Sequence, residues 1–305
     1  MLHPGTALFV FGSILTHPQS KPLLSRRKPT KKPKLLALRP SPFHLTFPRN
    51  CVTIYKVHFQ WKGGIALLFS KKTEEFLECE RWWILALLMY VGGFFGGFTY
   101  TVRGGIFCNA QTANFVLLAM SIGDGNWAMV RYLIIPITAY FLGAVVSEWV
   151  AGSIKKFGLI RWDTLLIFIE MAVVIGLGFI PDSAPFQISQ VAVNFICSMQ
   201  YNTFRQADGI PMATTFCTNH VRQVGVFFTK GVRHREGAHF KRMLFHAGML
   251  TLFTLGGVTS TITCRHLGGK GVWFALIPLG VILFDLLYAD LKTERGEMDR
   301  KPRGH

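Results

Sequence analysis

The chain has 305 residues, of which 50% are hydrophobic and only 16% charged, with a formal net charge of +17. A soluble domain carries nearer 25% charged residues, so this composition argues against an ordinary soluble enzyme. The basic residues lie between hydrophobic runs or in the N-terminal quarter, which argues against a nucleic-acid surface. Cysteines at 51, 79, 108, 197, 217 and 264 form no CxxC pair and no zinc spacing, which argues against a disulfide framework or a structural metal.

Residues 1–80 hold 13 Lys/Arg against 4 Asp/Glu. Lys21 to Pro42 is rich in Lys, Arg, Pro and Leu, a composition that cannot bury enough apolar surface to fold. Ala7–Leu15 has the length of a signal-peptide core, but no Lys or Arg precedes it. This quarter reads as a basic, largely disordered extension, or as an over-extended reading frame. The folded domain is expected at 81–305.

At Trp82 the pattern changes. Trp82–Val102 is uncharged over 21 residues, long enough to cross a bilayer. Further apolar runs are Tyr132–Ala151, Trp162–Ile180, Phe186–Phe204, Met243–Cys264 and Val272–Asp290. Trp82, Trp83, Trp149, Trp162 and Trp273 lie near run ends, where indole favours the headgroup region. Two shorter runs remain, Phe107–Ile122 and Pro211–Thr229.

Charge counting decides how the short runs are read. If both re-enter, the inside flanks hold 18 Lys/Arg and the outside connections 4. If both cross, the split falls to 14 against 7 and Arg222 enters the bilayer. The first arrangement obeys the positive-inside rule better. The expected fold is therefore all-α: a polytopic helical membrane protein with six spans, two short re-entrant or half-length helices, and both termini cytoplasmic. Each half then has an odd number of spans, which makes two inverted repeats, one about 82–180 and the other about 186–290.

The two short runs open on similar segments. One is Arg103-Gly104-Gly105-Ile106-Phe107-Cys108-Asn109-Ala110-Gln111-Thr112-Ala113-Asn114, and the other runs from Asp208 through Thr214, Thr215, Thr218, Asn219 and His220 to Arg222, with Thr112 matching Thr218. A helix N-terminus inside a membrane offers free N–H donors and a positive dipole end. Two such ends meeting near the midplane would suit an anion or a neutral hydrogen-bonding solute. The expected binding residues are Asn109, Gln111, Thr112, Asn114, Thr214, Thr215, Thr218, Asn219, His220 and Arg222. The competing reading is that these groups only cap and glue helices.

Glu170 lies mid-run, where an ionised side chain is costly, so it is expected to face protein and is the candidate for proton coupling. Glu148 reads as interfacial and Arg205 as the end of a span. Gly92, Gly93, Gly96 and Gly97 form overlapping GxxxG patterns that permit close helix approach. No GxxxxGK[ST], GxSxG or HExxH signature is present, so no enzyme activity, cofactor or metal is expected.

At Phe107–Asn114 and Ala213–Arg222 the chain resembles the YoaK family of bacterial membrane proteins, which lacks an assigned function. Gly92–Tyr100 and Met199–Arg205 look similar as well, and the resemblance covers about 83–290. It implies a multi-pass protein of a bacterial inner membrane. Two positions depart from the family pattern: Ala113 stands where the family prefers Gly, and Asn219-His220 stands for Gly-Asn. A Cβ at these tight positions is expected to narrow the approach of the two motifs. The leading functional expectation is a transporter or channel for a small polar or ionic solute, with the lipid bilayer as its surroundings and self-association left open. The alternative is a non-transporting structural or regulatory membrane protein.

Overall fold

Helix α1 (Trp82–Val102) begins where Arg81 supplies the last charge and runs through an unbroken apolar stretch. The structure, a computed structural model, describes residues 76–154 and 160–302. The extension expected over residues 1–75, and the connection carrying Lys155 and Lys156, lie outside the described residues.

Seven further helices follow: α2 (Thr112–Gly123), α3 (Trp127–Ile154), α4 (Trp162–Phe179), α5 (Phe186–Thr203), α6 (Thr218–His234), α7 (Gly237–Leu267) and α8 (Leu276–Tyr288). The all-α expectation holds apart from one two-residue hairpin, Gln206–Ala207 with Ile210–Pro211. Local sequence explains the breaks. Helix α4 stops because Ile180, held extended at ψ 119°, precedes Pro181. Helix α7 stops at Gly268, whose φ of +57° suits glycine far better than other residues.

Among the described residues, four helical segments are long and apolar enough to cross a membrane: Trp82–Val102, Trp127–Ala151, Trp162–Phe179 and the continuous Gly237–Thr293, which contains both α7 and α8. Helix α5 is not among them, because Ser189, Gln190, Asn194, Ser198 and Gln200 interrupt its apolar run, and all five are buried. The expected boundaries also move. Helix α7 starts six residues before Met243 and takes in Lys241 and Arg242. Helix α6 starts at Thr218 rather than Pro211: Pro211 ends the hairpin, and residues 212–217 are irregular.

Hydrogen bonds gather the helix ends into two groups. In one group, Asp208 N bonds Glu80 O at 2.8 Å, Trp162 Nε1 donates to Thr203 Oγ1 at 2.8 Å, and Glu78 N donates to Glu294 Oε1 at 3.0 Å. These contacts collect the starts of α1 and α4 with the ends of α5 and α8. In the other, Arg103 Nη2 donates to Ile180 O at 3.0 Å, Gln190 Nε2 to Arg103 O at 2.8 Å, and Gly269 N to Asp182 Oδ1 at 3.0 Å. That group collects the ends of α1, α4 and α7 with the start of α5.

Helix pairing follows a pattern. Helix α1 packs on α7 as α3 packs on α5, α2 packs on α3 as α6 packs on α7, and α4 packs on α8. Exchanging the first four helices for the last four leaves these pairings unchanged. Glycines let both long crossings close. A Cβ on Gly256 would lie 1.9 Å from Tyr90 O, and one on Gly143 would lie 2.4 Å from Phe195 O.

Leu77 and Glu80, assigned by sequence to the N-terminal extension, are buried in this unit. The packed chain therefore includes Leu77–Glu80, ahead of the expected start at 81.

Candidate functional site

After α1 ends, Gly104 and Gly105 take φ of +87° and +72° and turn the chain back on itself. The returning segment lies along α1, where its two pairs of glycines serve different neighbours. A Cβ on Gly96 would meet the Asn109 amide, and one on Gly92 would meet Thr214 O at 2.4 Å. A Cβ on Gly93 would meet Phe253 O of α7, and one on Gly97 would meet Gly257 O at 2.9 Å. One GxxxG face thus seats the motif segments and the other seats α7. Gly92 is ten residues from either end of α1, so the motifs reach its middle.

There the two heads touch. Asn109 Nδ2 donates to Thr215 O at 3.0 Å and to Gly92 O at 3.2 Å. Helix α2 starts three residues after Asn109, and α6 three residues after Thr215. A cleft of about 1230 Å³ opens beside this contact. Asn109, Gln111 and Thr112 line it from the first head, and Thr215 and Thr218 from the second. Phe253, Val258 and Ile262 of α7 form an apolar wall, and Tyr140 of α3 also borders it.

The other expected residues do different work. Asn114 is fully buried, and its Nδ2 donates to Phe107 O at 2.9 Å and to Gln111 Oε1 at 3.1 Å. Gln111 in turn donates to Asn194 Oδ1 at 2.6 Å. Thr214 is buried and accepts from Gln200 Nε2 at 3.0 Å. Asn219 accepts from the exposed Arg222 at 2.9 Å, and neither lines the cleft. His220 is buried, with Nε2 on Ala213 O at 3.0 Å and Nδ1 on His246 Nδ1 at 3.1 Å. A carbonyl only accepts, so His220 Nε2 carries the proton and His246 donates from Nδ1. Ala113 lines the cleft, and the heads meet through Asn109 and Thr215, so the expected narrowing does not keep them apart.

Glu170 is fully buried, and neither carboxylate oxygen has a partner among the described residues. It faces protein. Glu148, read from sequence as interfacial, pairs with Arg205 at 3.2 Å, and Arg205 also donates to Asn202 O at 2.7 Å.

Two cationic side chains carry structure that sequence reasoning missed. Arg103 is fully buried and binds the carbonyls of Ile180 and Pro181, which lie at the C-terminal end of α4. Arg161 is 6% exposed and sits between Asp290 at 3.6 Å and Glu294 at 3.1 Å. Burial pushes the Glu294 carboxyl above the usual carboxylate range, while Arg161 pulls it back. Basic residues at run ends were legible; their partners, 77 and 78 residues away for Arg103 and 129 for Arg161, were not. Among the described residues no group of three or more His, Cys, Asp or Glu can hold a metal ion.

Long apolar helices around two polar motif heads define the class: a helical protein of membrane type. The chain belongs to the family described as Protein of unknown function (DUF1275), whose model matches residues 84–284. The resemblance carried by the two motifs is consistent with that family. No curated protein and no solved structure matches the chain.

Proposed function

We propose that this chain is a multi-pass protein of a bacterial inner membrane that moves a small polar or ionic solute without enzymatic chemistry. The observation that carries the reading is the joint cleft: one polar head from each half of the chain borders the same space, midway along α1. Amides and hydroxyls there can replace a solute's water shell without burying a formal charge.

A six-span arrangement is part of this reading. The two groups of helix ends fit α1, α3, α4, α5, α7 and α8 running between opposite faces, with Arg81, Arg161 and Arg205 at one of them. In this arrangement the segments 103–111 and 204–217 would leave opposite faces, and both reach Gly92, through Asn109 and Thr214. Helices α2 and α6 then read as re-entrant, of 12 and 17 residues. At 1.5 Å per residue they rise about 18 and 26 Å, short of the ~30 Å hydrocarbon core. The exchange of pairings between halves fits inverted repeats. Glu170 is the group proposed to couple protons to movement.

A non-transporting structural or regulatory role is favoured by one observation. Asn109, Gln111 and Asn114 each spend amide donors inside the protein. Flux separates the readings. Purified protein in vesicles should pass at least one of glycerol, potassium, chloride, nitrate or formate faster than empty vesicles. A panel of such solutes with no flux above the empty-vesicle rate would favour the locked-bundle role.

A further inference from the structure

Helices α2 and α6 both begin uncapped. The first hydrogen bond of α2 is Phe115 N to Gln111 O, and that of α6 is Val221 N to Cys217 O, each at 3.0 Å. The N–H groups of Thr112, Ala113 and Asn114, and of Thr218, Asn219 and His220, precede those bonds. Neither Gln111 nor Cys217 provides a side-chain cap, and neither first turn contains an acid. Each helix N-terminus carries roughly half a positive charge. Two of them at one cleft present about one elementary charge in a poorly screened setting.

The cleft adds independent signs of a ligand. Thr215 is fully buried and borders the cleft, and its hydroxyl, which lies near that of Tyr140, makes no hydrogen bond of good geometry among the described residues. Asn109, 3% exposed, also borders it, but its unpartnered Oδ1 only accepts and so does not bond an anion. Its amide nitrogen is spent on the Gly92 and Thr215 carbonyls. Among the described residues, no Asp, Glu, Lys, Arg or His lines the cleft.

We propose that the cleft binds a small monovalent anion between the N-termini of α2 and α6. This deepens the transport reading and rests on the same site. The charge argues for one negative charge. A cation meets two positive helix ends, and a dianion leaves one charge uncompensated away from bulk water. The Thr112, Thr215 and Thr218 hydroxyls can donate alongside the free N–H groups. The α7 wall is mainly apolar through Phe253, Val258 and Ile262, and the Thr254 and Thr261 hydroxyls on it already donate to Leu250 O and Gly257 O, so it offers no donor to a second anionic group.

The test uses the full-length protein in detergent at constant ionic strength, with sodium gluconate replaced stepwise by sodium nitrate, chloride or formate. Thermal unfolding is followed for wild type, Thr112→Asp and Thr218→Asp. A fixed carboxylate in the first helical turn supplies the missing anion, so both variants should fold. Wild type should show saturable stabilisation by at least one anion, and each variant should weaken that affinity about tenfold or more, with Thr218→Asn as the uncharged control that retains it. No saturable effect on wild type, or an equal effect on wild type and both Asp variants, overturns the proposal. Should an Asp variant fail to fold, loss of the nitrate effect in Thr215→Val serves as the second reading, and its persistence there counts against the site. Anion binding with no flux of any solute in the panel keeps this inference and removes the transport reading. Glycerol or potassium flux with no anion effect does the reverse.

Discussion

Asn114 and His220 close the same loop in the two halves of the chain. Each lies two residues into a motif helix and reaches back seven residues to a backbone carbonyl, Asn114 to Phe107 at 2.9 Å and His220 to Ala213 at 3.0 Å. The histidine that departs from the family pattern keeps the asparagine's structural task and adds a bond to His246. His220→Asn should therefore fold, while His220→Leu should lose the loop bond. Asn114→Ala leaves the Phe107 carbonyl without its amide donor and should cost about 1–3 kcal/mol. Unfolding in detergent measures all three, and equal stability of His220→Leu and His220→Asn would remove this role.

The glycines on the crossings give a sharper stability test. A Cβ on Gly256 points at the Tyr90 carbonyl, backbone that cannot swing aside. Gly256→Ala should be strongly destabilising, by about 1–3 kcal/mol or more from overpacking. A Cβ on Gly225 of α6 would meet nothing within 4 Å, so Gly225→Ala should stabilise by about 0.5–1 kcal/mol. Similar effects of the two changes on thermal unfolding would contradict the packing described.

Arg161 ties the start of α4 to the chain after α8. Removing it leaves Asp290 and Glu294 buried without their cation, so Arg161→Met should cost about 3–5 kcal/mol. On the same side of the protein, Leu77 and Glu80 are packed in. A chain beginning at Phe76 should yield a monodisperse, folded protein, whereas one beginning at Trp82 should be measurably less stable. Equal melting of those two truncations would show that Leu77–Glu80 contribute nothing.

Glu170→Gln should insert and fold, because the carboxyl has no partner to lose among the described residues. If Glu170 couples protons, flux through the variant should lose the pH dependence of wild type. A retained pH profile would assign coupling elsewhere.

The long runs and both motif heads were readable because their signals are local: hydrophobic length, glycine spacing and a repeated polar cluster. Helix α5 was readable as a run, yet its buried Gln190, Asn194 and Gln200 lower its apolarity, and only packing explains them. The division of labour within the heads was hidden. Sequence grouped ten residues as one binding set, but Thr214, Asn114 and His220 are consumed by bonds inside the protein. Asn219 and Arg222 bond each other away from the cleft. Arg103 and Arg161 looked like flanking charges because their partners are distant in sequence.

The most direct test asks whether both heads border one water-filled space. Thr112→Cys and Thr218→Cys are made in a background whose six natural cysteines are replaced. A membrane-impermeant thiol reagent is then applied to vesicles from either side. The account predicts that both positions react with the aqueous reagent, and that bulky modification of one slows reaction at the other. Reaction of both with a lipid-soluble maleimide alone, with no aqueous labelling from either side, would make the cleft a lipid-facing groove and contradict the account.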